Sequence, residues 1–315
     1  MRDQWSRRGF FGLCGAAGAA ALLASCSSKE HPEDGAPGPV TITHIFGETT
    51  IPEPPSRVVC AGYTGQDDLL ALGVVPIAVT NWFGDQPFAV WPWAQRQLGD
   101  AKPVVLNSDN GIAVTQIADL KPDLIIATNA GVDAETYQKL SAIAPTVPQS
   151  SGDAFFEPWK VQAAAIGKAV HRSQQMQSLI DGVDRGFTDV ATAHPGFKGK
   201  KGLLLAGRLD RGNVSVATGW RTAFLTQMGL TVADAPTVIE RDRIGSALGG
   251  ADVLIWTTES DDERTALLAD PDLSGFESRS VFTTKDQAGA IAFASPLSYP
   301  LVAGQLPALI AKITG

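Results

Sequence analysis

Residues 120–128 have the sequence LKPDLIIAT, in which an aspartate stands before a short apolar run that ends in threonine. A short apolar run between polar residues is typical of a strand buried in a parallel sheet. Residues 250–257, GADVLIWT, repeat this order of residue types. In both stretches a helix leads to the aspartate, so the sequence predicts the same unit of helix and strand in two places.

Strand and helix patterns alternate around these two stretches. The predicted strands are Val58–Ala61, Val75–Val79, Leu124–Thr128, Leu203–Ala206 and Val253–Thr257. The predicted helices are Gly65–Leu72, Val114–Leu120, Ala134–Ile143, Trp220–Met228 and Ser298–Ile313. Such alternation indicates an α/β fold with mostly parallel sheets that are covered by helices.

A helical region separates the two groups of strands. Residues 157–170 repeat apolar side chains at helical spacing, and a second run follows that we expect Ser173 to cap. We therefore expect two α/β lobes, 40–156 and 196–315, each with a mostly parallel central sheet. The linking helices, 157–195, form a long spine between the lobes, and the ligand cleft lies between them.

The N-terminus has the composition of an export signal. Arg7 and Arg8 precede an apolar, small-residue run, and this order resembles a twin-arginine signal. The run ends in LASC at Cys26, which resembles a bacterial lipobox, and an ordinary membrane anchor is the alternative. We expect a signal peptide at 1–25, lipidation of Cys26 and a flexible tether at 26–39, which place the protein outside the cytoplasm on the cell membrane.

Charge and cysteine content exclude several classes. The chain has a net charge of −8, and loss of the predicted signal peptide makes it more acidic. An acidic chain argues against nucleic acid as a partner. Cys60 is left without a partner for a disulfide and lies in a predicted buried strand.

The sequence contains none of the common catalytic spacings of hydrolases, P-loop proteins or zinc proteases. The four histidines, His31, His44, His171 and His194, are scattered singly. A transition-metal site needs several converging ligands. We expect no catalytic residues, no metal site and no resident cofactor.

Aromatic residues crowd the segment that follows the strand Val75–Val79. They are Trp82, Phe83, Phe88, Trp91 and Trp93, and glycine and prolines interrupt them. Ligands of open α/β sheets lie beyond the carboxyl ends of the strands. The segment suits a large planar or amphipathic ligand. The alternative is that these rings pack over the edge of the sheet.

Arginines give a second signal, because a guanidinium binds oxyanions through a planar pair of donors. Arg208 is the preferred residue, since it lies just past the strand Leu203–Ala206. The alternative is an arginine surrounded by solvent.

Several segments resemble the iron-siderophore substrate-binding proteins of ABC importers. The segments are RVVCAGY (57–63), DDLLALGV (67–74), IADLKPDLII (117–126), ADVLI (251–255), SPLSYP (295–300) and the region from Trp220 to Leu230. The resemblance covers about residues 40–313. It implies two α/β lobes joined by one rigid helix, a ferric siderophore as ligand and delivery to a membrane permease.

The resemblance also implies an acidic residue on each lobe that docks on the permease. The first position is Thr115 here, whereas the second falls near Asp242. We expect docking through Asp242, with Asp119 or another carboxylate as the substitute in the first lobe.

The leading hypothesis is a monomeric, lipid-anchored binding protein that captures a ferric siderophore. Haem is the alternative ligand, with Tyr63 or Tyr299 on its iron. A secreted hydrolase on a two-lobed scaffold is the alternative of another class. The expected ligand-binding residues are Tyr63, Trp82, Phe83, Asn129, Arg208, Trp220 and Tyr299.

Overall fold

The computed structural model describes residues 38–109, 111–152 and 155–315. The predicted signal peptide at 1–25, the lipidation site Cys26 and most of the tether at 26–39 lie outside the described residues. No helix in the described ranges has both the length and the apolar character that a membrane span needs.

The strands are β1 (Val40–His44), β2 (Gly47–Ile51), β3 (Val58–Cys60), β4 (Ala78–Thr80), β5 (Val104–Leu106), β6 (Leu124–Ala127), β7 (Thr146–Pro148), β8 (Lys201–Ala206), β9 (Val214–Ser215), β10 (Thr231–Val232), β11 (Val238–Ile239), β12 (Val253–Thr257) and β13 (Ser280–Phe282). The helices are α1 (Gly65–Ala71), α2 (Gln95–Leu98), α3 (Val114–Asp119), α4 (Ala134–Ser141), α5 (Trp159–Ala169), α6 (Ser173–Ala193), α7 (Ala223–Gln227), α8 (Ile244–Gly249), α9 (Asp261–Ala269), α10 (Lys285–Phe293) and α11 (Tyr299–Thr314).

Two parallel sheets organise the molecule. The first has the strand order β5-β4-β3-β6-β7, and the second has the order β10-β8-β12-β13. Their central strands β3 and β6 are fully buried, and β12 is buried over four of its five residues. The predicted α/β fold with mostly parallel sheets is confirmed. Two antiparallel ribbons, β1-β2 and β9-β11, were not predicted.

The repeated aspartate has the same task in both sheets. Asp123 precedes β6 and accepts hydrogen bonds from the backbone N–H groups of Ser56 and Arg57, each at 2.8 Å, just before β3. Asp252 precedes β12 and accepts from the backbone N–H of Lys201, the first residue of β8, at 2.7 Å. Each carboxylate ties the start of one central strand to its parallel neighbour. The repeated sequence pattern therefore corresponds to a structural unit that occurs once in each sheet.

The predicted spine consists of two helices. The break between α5 and α6 lies at His171, whose φ of +57° is left-handed. Arg172, and not Ser173 as predicted, occupies the N-cap position of α6, and the Arg172 guanidinium donates to the carbonyl of Leu72. The helix α6 buries Met176, Ile180, Val183 and Phe187 at helical spacing.

Two other predicted elements differ from the structure. The strand predicted at Val75–Val79 begins only at Ala78, because Pro76 has no N–H to donate and pairing starts with Ile77. The helix predicted at Trp220–Met228 begins as a 3₁₀ turn, Gly219–Thr222, before α7.

One apolar core joins both sheets. It includes Val58 and Ile126 from the first sheet, Leu204 and Ile255 from the second, and α5, α6 and α11 between them. The carboxyl ends of the two sheets, where ligands of this fold class bind, are held in place by this shared core.

Candidate functional site

Six aromatic side chains form a continuous cluster beyond the carboxyl ends of the strands; Phe293 is buried behind the other five, which are at least partly exposed. We call this cluster the aromatic wall; its members are Tyr63, Trp82, Phe83, Phe155, Phe156 and Phe293. The ring centroid of Trp82 lies 6.1 Å from that of Tyr63, 4.6 Å from that of Phe83 and 4.9 Å from that of Phe156. The structure thus brings three of the predicted site residues together around one indole ring.

The members of the wall come from four separate parts of the chain. Tyr63 follows β3, Trp82 and Phe83 follow β4, Phe155 and Phe156 precede α5, and Phe293 ends α10. Phe155, Phe156 and Phe293 were not predicted. Phe155 and Phe156 stand close to Trp159 in the sequence, and this aromatic cluster was a signal that could have identified them, whereas Phe293 has no aromatic neighbour within five residues.

The aromatic segment after β4 has a split role. Trp82 and Phe83 are half-buried, whereas Trp91 is 1% exposed and stacks on Trp93 with 4.9 Å between ring centroids. The first two rings fit the predicted ligand surface. Trp91 instead packs inside the protein, as the alternative for this segment proposed.

A cavity of about 410 Å³ opens beside the wall at the carboxyl ends of β8 and β12. Its lining is mostly aliphatic and includes Leu204, Val216 and Ile291. Phe83 of the wall also contributes. We call it the first cavity.

Arg221 supplies the positive charge of the first cavity. Its guanidinium carbon lies 4.5 Å from the ring centroid of Phe156 and 5.0 Å from that of Trp220. Burial lowers the pKa of Arg221, although the group stays protonated at neutral pH. Among the described residues, no carboxylate forms an ion pair with it.

The predicted arginine, Arg208, is exposed and does not line the cavity. Arg221 occupies the position in the site that we expected for Arg208. The signal in the sequence was its neighbour Trp220, because a guanidinium is often held against an aromatic face.

Glu259 is the acidic residue of the first cavity. Burial raises the pKa of its carboxyl group, and the charge of Glu263 adds to this effect. The positive charges of Arg208 and Lys285 lower that pKa and oppose the shift.

Trp220 is half-buried beside the wall. Its indole N–H donates to the backbone carbonyl of Phe156 at 3.1 Å. Trp220 therefore fixes Phe156 and carries Arg221 on its ring face.

Asn129 does not fit its predicted role as a ligand donor. It is 2% exposed, its amide group donates to the hydroxyl of Thr64 at 3.1 Å, and its carbonyl oxygen accepts from the backbone N–H of Phe156 at 2.8 Å. Its polar atoms are engaged within the protein. Asn129 holds the wall segment in place from behind.

Tyr299 does not reach the site either. It is 2% exposed in the core, where its ring lies 5.2 Å from that of Phe187 and 5.4 Å from that of Trp159. Burial raises the pKa of its hydroxyl group. The first turn of α11 docks against apolar residues, so the predictions that Tyr299 binds a siderophore or haem iron are wrong.

A second cavity of about 360 Å³ lies on the other side of the wall, at the carboxyl ends of β3, β4 and β5. Tyr63 and Phe155 of the wall line it, together with Thr80, Asn107 and Lys139. Sequence reasoning missed this cavity.

The predicted docking residues lie on the surface. Asp242 is exposed in the turn Arg241–Arg243, and Thr115 is exposed on α3. The neighbouring Arg241 is held by Asp270 and Asp272, each at 2.8 Å, so it does not neutralise Asp242 through an ion pair.

Metal-ligating residues do not cluster in the described ranges: no three His, Cys, Asp or Glu side chains there are placed to hold a metal ion. Cys60 is completely buried, and burial raises the pKa of its thiol to about 12. A thiol in this state is unreactive.

Comparison with known protein families matches residues 58–277 to the family described as "Periplasmic binding protein".

Two curated relatives are named for binding a siderophore or ferric dicitrate. "Probable siderophore-binding lipoprotein YfiY" of Bacillus subtilis (strain 168) is 32% identical over 54% of this chain and 51% of its own length. The Fe(3+) dicitrate-binding periplasmic protein FecB of Escherichia coli (strain K12) is 26% identical over 65% of this chain and 66% of its own length. The chain thus spans about half the length of the first relative.

Among solved structures, a periplasmic solute binding protein from Mycobacterium smegmatis str. MC2 155 is 64% identical, with a TM-score of 0.87. The match covers 88% of this chain and 99% of that protein. The protein PiaA of Streptococcus pneumoniae TIGR4, solved with ferrichrome, is 23% identical with a TM-score of 0.72, over 87% of this chain and 98% of PiaA. At 23% identity, the similarity to PiaA shows a shared fold and no more.

Proposed function

Because the chain belongs to the periplasmic binding protein family, we propose that it captures a ferric siderophore outside the cytoplasm and delivers it to the permease of an ABC importer. The family membership confirms the resemblance found in the sequence.

The observation that carries the proposal is the aromatic wall with the guanidinium of Arg221 beside it. A ferric siderophore is a large amphipathic chelate with oxygen atoms around the iron. The wall offers ring faces for its organic part, and Arg221 offers donors for its oxygen atoms.

A binding protein also fits the chemistry of the site better than a hydrolase does. Hydrolysis through a nucleophile needs a hydroxyl or thiol next to a base. Within the described part of the first cavity, the hydroxyl groups are those of Ser215, Thr218 and Thr257, and no histidine lines the cavity with them. The hydroxyl of Thr257 donates to the carbonyl of Leu205 and not to Glu259, the carboxylate of the cavity. The relatives are likewise named for binding and not for catalysis.

Attachment to the membrane is part of the proposal. It is supported by the lipobox-like LASC at Cys26 and by the name of the relative YfiY, a lipoprotein. The proposal also includes a monomer that docks on the permease through Asp242. The exposure of Asp242 leaves its carboxylate available for such docking.

Tryptophan fluorescence tests the proposal. The chain from residue 26 onward, with Cys26→Ser to prevent lipidation, is titrated with iron-loaded siderophores, with the same siderophores free of iron, and with haem. We expect saturable quenching by a ferric chelate, because Trp82 and Trp220 lie at the site.

The titration also separates the alternatives. Trp82→Phe should remove much of the quenching, whereas Trp159→Phe, a change in the core, should leave its ligand dependence intact. Saturation by haem alone would replace the siderophore with haem. A signal that decays as a product is released would favour the hydrolase, and no response to any ligand would reject iron uptake.

A further inference from the structure

The first cavity has almost no net charge. Of the described residues that line it, only Arg221 and Glu259 are charged, and they carry opposite signs. In the second cavity the charged residue is Lys139, whose ammonium group already pairs with Glu135 at 2.6 Å. The described part of the site therefore offers a ligand one unpaired cation and one carboxylate.

The rest of the lining is mostly apolar. Leu204, Leu205, Val216, Ala217 and Ile291 supply aliphatic surface to the first cavity. Moving a charged ligand from water to such a surface is costly unless opposite charges meet it.

Arg221 is suited to hydrogen bonding with a neutral oxygen-rich ligand. Its guanidinium is partly desolvated between Phe156 and Trp220, and no described side chain accepts a hydrogen bond from it or pairs with it. A planar guanidinium can donate to two adjacent oxygen atoms. One such group satisfies the oxygen atoms of a chelate, but it does not neutralise a trianion.

Glu259 places a negative charge in the lining of the first cavity, where it opposes an anionic ligand. Arg208 and Lys285 do not line the cavity and offset only part of that charge from outside it. The chain as a whole carries −8, so the long-range field also repels anions.

Ferric chelates differ in net charge by class. Three hydroxamate groups, each a monoanion, make a neutral complex with ferric iron. Three catecholate groups, each a dianion, make a trianionic complex, and ferric citrate complexes are also anionic. We propose that the site selects ferric chelates of the neutral tris-hydroxamate class and rejects tris-catecholates; this inference rests on the proposed function.

The experiment compares three probes by fluorescence titration of the same Cys26→Ser chain: ferrichrome, which is a neutral tris-hydroxamate, ferric enterobactin, which is a tris-catecholate, and ferric citrate. We expect ferrichrome to bind at least roughly 100-fold more tightly than ferric enterobactin, since an unneutralised like charge at a binding site strongly disfavours association. Ferrichrome affinity should change little with salt concentration.

A variant of Glu259 tests whether its charge sets the selectivity. Glu259→Gln should reduce the ratio of the dissociation constant of ferric enterobactin to that of ferrichrome about tenfold, because it removes the repulsive carboxylate. Arg96→Gln is the control; Arg96 is exposed on α2 and lines neither cavity, so its loss should leave the ratio unchanged. If Glu259→Gln does not fold, the unmodified chain still tests whether charge sets the selectivity, through the salt dependence of its affinity for each of the three probes.

The outcomes separate this inference from the proposed function. Binding of ferric enterobactin or ferric citrate as tight as that of ferrichrome would overturn the selectivity while siderophore capture stands. A ratio that Glu259→Gln leaves unchanged would show that charge does not set it, and this too would overturn the inference. Failure of every ferric chelate to bind would reject the proposed function and the selectivity together.

Discussion

Arg221 and Arg208 differ in what surrounds their guanidinium groups. Arg221 rests against the rings of Phe156 and Trp220 and lines the first cavity, whereas Arg208 is exposed outside it. A cation held between rings loses little rotamer freedom when it binds a ligand, and a solvated arginine loses much more.

Replacement of each arginine by glutamine should therefore have unequal effects. Arg221→Gln should weaken binding of the ferric chelate by roughly 10–100-fold, because a charged hydrogen bond contributes about 1.5–3 kcal/mol. Arg208→Gln should weaken it by about twofold or less. Quenching titrations measure both constants, and equal losses in the two variants would contradict the placement of Arg221.

Asp67 and Asp68 are buried although both are acidic residues in the first turn of α1. One carboxylate oxygen of Asp67 accepts from the indole N–H of Trp93 and from the hydroxyl of Ser295, each at 2.7 Å. Burial raises the pKa of Asp67 to about 6, against the effect of these hydrogen bonds. Burial likewise raises the pKa of Asp68. A hydrogen bond that Gln162 donates to its carboxylate opposes this shift.

The raised pKa of Asp67 predicts a loss of stability as the pH rises. Between the unfolded value of 3.8 and the folded value of about 6, the native state holds more protons than the unfolded state, so the free energy of unfolding falls with pH. Asp67→Asn removes the ionisable group. The variant should match the parent near pH 4 and exceed its free energy of unfolding at pH 8 by up to roughly 3 kcal/mol.

Urea denaturation at the two pH values measures this difference. The control is Asp123→Asn, because the contribution of Asp123 to the free energy of unfolding changes with pH in the opposite direction. Burial alone would raise the pKa of Asp123, but its hydrogen bonds from Ser56 and Arg57 lower it, so its contribution is present above pH 3.8 and is lost as the pH falls. An Asp67→Asn variant that is equally destabilised at both pH values would contradict the burial argument.

The segment after β4 is the element that forms the centre of the site. It turns sharply at Gly84, where φ is +90°, and this turn sends Trp82 and Phe83 to the wall and Trp91 to the core. A Cβ at Gly84 would lie 2.4 Å from the ring of Trp91. The turn therefore needs glycine for its conformation and for the space that Trp91 occupies.

Gly84→Ala should destabilise this element more than a positive φ alone does. Gly199 is the matched control, with φ of +84° and open space where a Cβ would stand, since no atom lies within 4 Å of that position. Both changes carry the conformational cost of about 1–2 kcal/mol, and Gly84→Ala adds an overpacking cost of about 1–3 kcal/mol. Chemical denaturation measures the difference, and a chelate titration should show weaker quenching in Gly84→Ala. Equal stability of the two variants would mean that Trp91 moves aside without cost.

The shared apolar core makes the whole molecule one unit of stability. Residues from both sheets and from α5, α6 and α11 belong to it, and Ser295 joins the segment before α11 to α1 through Asp67. A ligand at the wall touches parts that belong to both sheets, so its binding energy adds to the stability of the whole.

Thermal unfolding should therefore be one transition, observed together by tryptophan fluorescence and by far-ultraviolet circular dichroism. A ferric chelate at about 100 times its dissociation constant adds about 2.7 kcal/mol and should raise the midpoint of both signals by roughly 5 °C. The iron-free chelator is the control. Two separate transitions, or a shift in one signal only, would show that the predicted lobes 40–156 and 196–315 unfold independently.

Local sequence patterns were enough to predict the strands Leu124–Ala127 and Val253–Thr257, the aspartates that precede them and the alternation of helix and strand. These features are local: a run of apolar side chains between polar ones specifies a buried strand wherever the sheet lies. The aromatic residues Tyr63 and Trp82 were also accessible from the sequence, because each follows a recognisable strand.

The folded structure was needed to show which polar and aromatic residues reach the site. Tyr299 and Asn129 stand at the ends of elements, as ligand-binding residues often do, yet the core absorbs the first and the backbone of Phe156 engages the second. Arg221 owes its position to Phe156, which lies 65 residues away in the chain. The direction of a side chain at the end of an element depends on contacts between distant segments, and no local pattern records those contacts.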